Sequence, residues 1–103
     1  MSERIKIAQT DQVAPGKGKS VNAKGREVAL FNVDGSFYAI DNSCPHSTGP
    51  LAEGRLYGNI VTCPWHGSQF DVITGQCCTG PATKPVATYP VYIEGHSIFI
   101  EIN

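Results

Sequence analysis

Two short clusters hold the residues best able to do chemistry: Cys44-Pro45-His46 and Cys63-Pro64-Trp65-His66. Each sets a thiol and an imidazole close together in the chain, and residues 47–62 separate the two clusters. Two thiolates and two imidazoles are a complete ligand set for a metal centre. A tetrahedral zinc ion would accept it. So would a centre of two irons and two sulfides, with both thiolates on one iron and both ring nitrogens on the other. Ordinary zinc fingers group cysteine with cysteine and histidine with histidine. Here each cluster carries one of each, which favours the two-iron centre. A pair of disulfides among the four cysteines would leave both histidines unexplained.

The motifs C-P-H and C-P-W-H-G-S resemble the two cluster-binding loops of a Rieske ferredoxin, and the match runs along nearly the whole chain. Thr79-Gly80-Pro81-Ala82 is similar to the proline-containing loop that closes over the cluster in that family. The resemblance implies a Rieske-type [2Fe–2S] cluster held by Cys44 and Cys63 as thiolates and by His46 and His66 through ring nitrogens. Neutral imidazoles in place of two anionic thiolates make reduction less costly, so the potential lies above that of an all-cysteine cluster.

The resemblance also gives meaning to the neighbours. Ser68 occupies the position whose hydroxyl donates to a bridging sulfide in high-potential Rieske proteins. Phe70 stands where those proteins carry a tyrosine that donates to a ligand sulfur. Gly49 and Trp65 stand where they carry a loop-bracing disulfide. With two of these devices absent, a low potential is expected. Pro45 and Pro64 stiffen their loops by fixing φ, and Gly67 permits a tight backbone approach beside His66.

By the same resemblance the chain is a one-electron carrier, similar to the ferredoxin component of multicomponent aromatic-ring dioxygenases, and not itself an enzyme. Its implied partners are a flavin-containing ferredoxin reductase fed by NAD(P)H and a terminal Rieske non-haem iron oxygenase. The chain has no dinucleotide fingerprint and no mononuclear iron motif of its own. Partners would meet the outer edges of His46 and His66, ringed by Pro45, Thr48, Pro50, Trp65 and Pro81. Three competing readings are the Rieske-like small subunit of an assimilatory nitrite reductase, an electron donor to a different acceptor such as a haem monooxygenase, and a zinc-stapled interaction module.

Other residues have plainer readings. Trp65 is either a core aromatic under the cluster or part of an exposed docking face, and the sequence leaves both open. Cys77 and Cys78 are thiols outside the ligand set, since adjacent cysteines bridge each other only with strain. His96 reads as a surface histidine, and Asp71 as a partner for a loop amide.

The chain's 103 residues suit a single domain, 1–103, with a modest core that a metal centre would help to tie together. Eight basic and nine acidic residues give a net charge of −1. That balance argues against nucleic acid or a polybasic membrane contact. Lys17-Gly18-Lys19 reads as a solvated turn. No apolar run reaches the length of a membrane span, and the first residues lack a signal-type apolar segment. A monomer in the reducing cytoplasm is expected.

The elements that must position the ligands read as strands. Arg4–Ala8 alternates, Glu27–Val33 is an apolar run, and Ser36–Ile40 follows across Asp34-Gly35, a strong hairpin signal. Gly58-Asn59 separates Arg55–Tyr57 from Ile60–Thr62, and Glu94-Gly95-His96 separates Val86–Glu94 from Ser97–Ile102. Asp11-Gln12-Val13 could form one helical turn. The fold class is therefore all-β. The resemblance refines it to an antiparallel β-sandwich with a cluster-binding lobe inserted at roughly residues 42–84.

Overall fold

A computed structural model describes residues 2–43, 49–65, 67–79 and 84–103. Among these, every extended element is paired antiparallel and there is no α-helix. The strands are β1 (Glu3–Gln9), β2 (Gly18–Ala23), β3 (Arg26–Val33), β4 (Ser36–Asp41), β5 (Arg55–Tyr57) and β6 (Ile60–Thr62). They continue with β7 (Gln69–Asp71), β8 (Cys77–Thr79), β9 (Thr88–Tyr89), β10 (Val91–Glu94) and β11 (Ser97–Ile102). They form three sheets, ordered β1-β11-β10, β2-β3-β4-β9 and β5-β6-β7-β8.

The middle sheet is buried on both faces. Along β3, Val28 and Leu30 join Ala8, Val21, Ala39, Ile98, Ile100 and Ile102 in one apolar cluster. The alternate residues Ala29 and Phe31 join Ile40, Leu51, Val61, Phe70 and Val72 in another. This is why β3 reads as a continuous apolar run rather than an alternating one: a period of two places successive side chains in opposite cores. The third sheet follows β4 and precedes β9 in the chain, and it packs its Val61 and Phe70 against the second of these clusters.

The hairpins form where turn chemistry demands them. Asp34 and Gly35 take φ of 55° and 94°, the left-handed pair that a two-residue turn of the primed type requires. Gly58 and Gly95 supply the positive φ of the other two expected hairpins. A further hairpin joins β2 to β3 through Lys24 and Gly25, whose φ are 54° and 81°. Lysine is an uncommon first residue for such a turn. Asn22 supports it, its Oδ1 accepting from the Gly25 amide at 3.2 Å.

Four expectations need correction. Gly18 and Lys19 begin β2 instead of forming a turn; the turn lies just before, where Lys17 N donates to Ala14 O at 3.0 Å. The Val86–Glu94 run is not one strand. It divides at Pro90, which has no amide to donate, so β9 stays beside β4 while β10 crosses to β11. The helical turn is a 3₁₀ turn over Thr10–Gln12, with Val13 just beyond it and buried. Strands β7 and β8 appear where only loops were expected, because three residues are too few to display a period.

Tyr89 fastens the short β9. Its hydroxyl donates to Asp41 Oδ1 at 2.5 Å and accepts from Arg26 Nη1 at 3.2 Å. Burial first, and then the bond to Asp41, raise the phenol pKa above its ordinary value of 10.0, with Arg26 opposing. The unfolded chain therefore gives up this proton at lower pH than the fold does. The contribution of Tyr89 to stability is complete below the unfolded value and is lost as pH rises through the higher folded one. Tyr89→Phe is expected to cost about 1 kcal/mol at neutral pH and to flatten the alkaline decline in stability. Denaturant unfolding at neutral pH and above pH 10 will check this; an unchanged alkaline slope would contradict it.

Candidate metal centre

The second cysteine–histidine segment is the loop of the β6–β7 hairpin. Thr62 pairs with Gln69, and residues 63–68 close the turn between them. Cys63 N donates to Ser68 O at 2.7 Å, and Gly67 N donates to Cys63 O at 3.1 Å. Gly67 sits at φ +78°, where a side chain would be strained. These bonds place Cys63 at the base of the loop and send Pro64 and Trp65 outward. Cys63 is only 2% exposed and shares its apolar cluster with Val61 and Phe70. Ser68, across the base, is wholly buried.

The first segment is held at its stems. Ser43 and Pro50 form an isolated antiparallel bridge, so the described flanks of the segment meet at one point. Buried Asn42 secures that point. Its amide donates to Glu27 O at 3.1 Å and its carbonyl accepts from Leu51 N at 2.7 Å. Its side-chain oxygen accepts from Ala52 N at 2.8 Å, and its Nδ2 donates to Ser20 Oγ at 3.3 Å.

The two segments meet at Gly49. A Cβ built there would lie 3.0 Å from Cys63 Sγ and 3.0 Å from Trp65 Cγ, so any larger residue would have to push one of these side chains aside. Of the four expected ligands the structure places Cys63. Cys44, His46 and His66 lie outside the described residues, as do Pro45, Thr48 and the Gly80–Ala82 part of the third loop. Their flanks are placed: Ser43 and Gly49 bracket residues 44–48, and Trp65 and Gly67 bracket His66. A thiolate out of water needs a cationic partner. The buried Cys63 sulfur lies against Gly49, which in the chain directly follows the segment containing Cys44 and His46, so the donor set present fits a metal centre at this point.

The remaining candidates fall out simply. Trp65 is 58% exposed, which settles its two readings in favour of the surface. Cys77 is half-buried on β8 and Cys78 is exposed beside it. His96 is exposed in its turn. Asp71 Oδ1 accepts from Ile73 N at 2.8 Å, the expected loop-amide role.

Comparison with known proteins agrees with this arrangement. A family model for the Rieske [2Fe-2S] domain matches residues 3–90. The chain belongs to the Rieske [2Fe–2S] family. Its cofactor is a Rieske-type cluster, and zinc is set aside. It is 38% identical over 92 residues to the ferredoxin component of a naphthalene 1,2-dioxygenase system from Pseudomonas aeruginosa, covering 89% of this chain and 88% of that one. A ferredoxin from Sphingomonas yanoikuyae B1 superposes with a TM-score of 0.92 at 33% identity, covering 98% and 100% of the two chains. A chain in a complex of reduced oxygenase and oxidized ferredoxin from carbazole 1,9a-dioxygenase gives a TM-score of 0.89 at 31% identity, covering 94% and 91%. A protein described as the NADPH nitrite reductase small subunit shares the fold, with a TM-score of 0.81, 24% identity and coverage of 95% and 97%. These Rieske ferredoxins are electron-transfer components, and this chain is of the same kind rather than an enzyme in itself.

Asn42 was not singled out from sequence, although an asparagine directly after an apolar strand and two residues before an expected ligand was the available signal. Removing its side chain strands the buried Ala52 amide. Asn42→Ala is expected to lower unfolding stability by about 2 kcal/mol and to speed loss of visible absorbance from the loaded protein. Denaturant titration and bleaching kinetics measure the two effects, and a stability change within error would contradict the anchoring role.

Proposed function

We propose that Cys44 and Cys63 hold one iron of the cluster and His46 and His66 the other, and that this chain carries single electrons from a flavin-containing reductase to a terminal Rieske non-haem iron oxygenase. When bound, the cluster supplies reversible one-electron chemistry. The observation that carries the reading is the loop 63–68, which buries the Cys63 thiol at its base and exposes Trp65 two residues on. A redox centre held there lies within a short distance of a surface a partner can touch. That the relatives are ferredoxin components of dioxygenase systems supports the partner classes and favours a carrier over a nitrite reductase subunit. The likeness to a nitrite reductase small subunit, at 24% identity, speaks to the fold alone.

Residues 42–52, 56–70 and 72–83 contain no Asp, Glu, Lys or Arg. The loops around the centre are thus uncharged, so long-range attraction contributes little and docking rests on local apolar contact. Exposed tryptophan is the residue type that most often anchors such contacts. A carrier must also leave quickly, which suits a small interface. The working state we assign is a monomer in the cytoplasm. Among the described residues no helix is long and apolar enough to cross a membrane.

Reconstitution with a flavin reductase and a panel of ring-hydroxylating oxygenases tests the assignment. One oxygenase is expected to turn over only when this protein is present, with a rate that changes little as salt is raised. Trp65→Ala is expected to keep the visible spectrum while slowing transfer about tenfold. Turnover by no oxygenase of the panel, with a fully loaded carrier that the reductase reduces, would refute the acceptor.

The wholly buried Phe70 lacks the hydroxyl that its position carries in high-potential relatives of the resemblance. The midpoint is therefore expected near the bottom of a range of roughly −150 to +300 mV. Phe70→Tyr should raise it by about 60 mV, the one-electron equivalent of a hydrogen bond of about 1.4 kcal/mol. Redox titration of both proteins decides; a parental midpoint well above zero would contradict the argument.

A further inference from the structure

Strands β6, β7 and β8 are each three residues long, and the second cluster-binding loop joins β6 to β7. Two rows of side chains cross them. Val61, Phe70 and Cys77 form one row, which packs into the core. Thr62, Gln69 and Thr79 form the next, which stays half-buried or exposed. Thr62 directly precedes the Cys63 ligand and Gln69 directly follows Ser68, so this second row lies at the base of the loop.

The backbone ladder is weak here. Phe70 pairs with Cys77 and Gln69 with Thr79, and the register shifts between them, leaving Cys78 without a position opposite β7. Such a bulge disrupts pairing and lets the strand bend. The side chain of Gln69 spans the gap. Its Oε1 accepts from Thr79 Oγ1 at 2.8 Å, and its Nε2 donates to Thr62 Oγ1 at 3.3 Å. One amide thus fixes the end of β7 against both neighbouring strands, directly after Ser68 and across from Thr62, which precedes Cys63.

We propose that Gln69 is a positioning residue for the cluster: by tying β7 to Thr62 and Thr79 it holds Ser68 and Cys63 at the spacing the cluster needs. The inference rests on the reading that Cys63 is a ligand and that the Ser68 hydroxyl donates to the cluster. With the tie cut, the end of β7 drifts, the Ser68 hydrogen bond slackens and the reduced state loses stabilisation. The potential then falls, and the cluster is released sooner.

Redox titration and anaerobic cluster-release kinetics on the loaded protein test this. Ser68→Ala alone should lower the midpoint; if it does not, the reading beneath the inference fails and the inference with it. Gln69→Ala should lower the midpoint and speed release roughly tenfold. In a Ser68→Ala background it should move the midpoint no further, because the two residues act through one bond. Thr79→Val, which removes the hydroxyl at nearly constant volume, should shift the midpoint in the same direction, while Thr79→Ser should match the parent. If Gln69→Ala does not fold, the two Thr79 variants decide. A parental midpoint in Gln69→Ala and Thr79→Val, with or without a loss of thermal stability, would reduce the row to a brace of the sheet and overturn the proposal. So would a Gln69→Ala shift that persists in full without the Ser68 hydroxyl.

Discussion

Burial of β3 and β4 on both faces is the constraint on which the rest of the structure depends. A sheet with only one hydrophobic face needs one partner; this sheet has two and must find two. The terminal strands β1, β10 and β11 cover one face through Ile98, Ile100 and Ile102. The inserted strands β5 to β8 cover the other through Val61 and Phe70. The third sheet is therefore no appendage. Its packing supplies the second core, and Cys63 lies inside that core.

This placement explains why the centre can be firm on one side and accessible on the other. Cys63 and Ser68, the two residues at the base of the loop, are buried in the core, while Pro64 and Trp65 are exposed. Backbone bonds across the base, Cys63 to Ser68 and Gly67 to Cys63, shape the turn without help from long side chains. The first segment is managed differently. Its stems are drawn together by Asn42, a buried side chain that satisfies two segments at once. Gly49 then lets the segments touch, with the exposed indole of Trp65 resting over the place where a Cβ would be.

Much of the fold was legible because its turns are chemically explicit. Asp34-Gly35, Gly58-Asn59 and the turn at Gly95 each need a backbone conformation that few residues tolerate, and the residues present tolerate it. Lys24-Gly25 carries only half of such a signal, because its first residue is a lysine at positive φ. Pro90 was visible in the sequence, yet its effect, a strand changing sheets, depends on which partners lie on either side. Strands β7 and β8 were hidden because three residues show no periodicity. Their pairing comes from the turn at Asp71–Gln76 and from the apolar row beneath it.

Side-chain chemistry alone narrowed the centre to zinc or a two-iron cluster and favoured the cluster. Thiols and imidazoles interleaved as Cys-x-His and Cys-x-x-His limit what can be bound wherever the chain places them, because ligand preference belongs to sulfur and nitrogen. Tertiary structure decided the environment of each group. That Trp65 lies outside and Phe70 inside, that Asn42 anchors a loop, and that Gln69 reaches both Thr62 and Thr79 all depend on contacts between residues distant in the chain. Burial and cross-strand register are properties of the packed whole, and no local pattern in these residues encodes them.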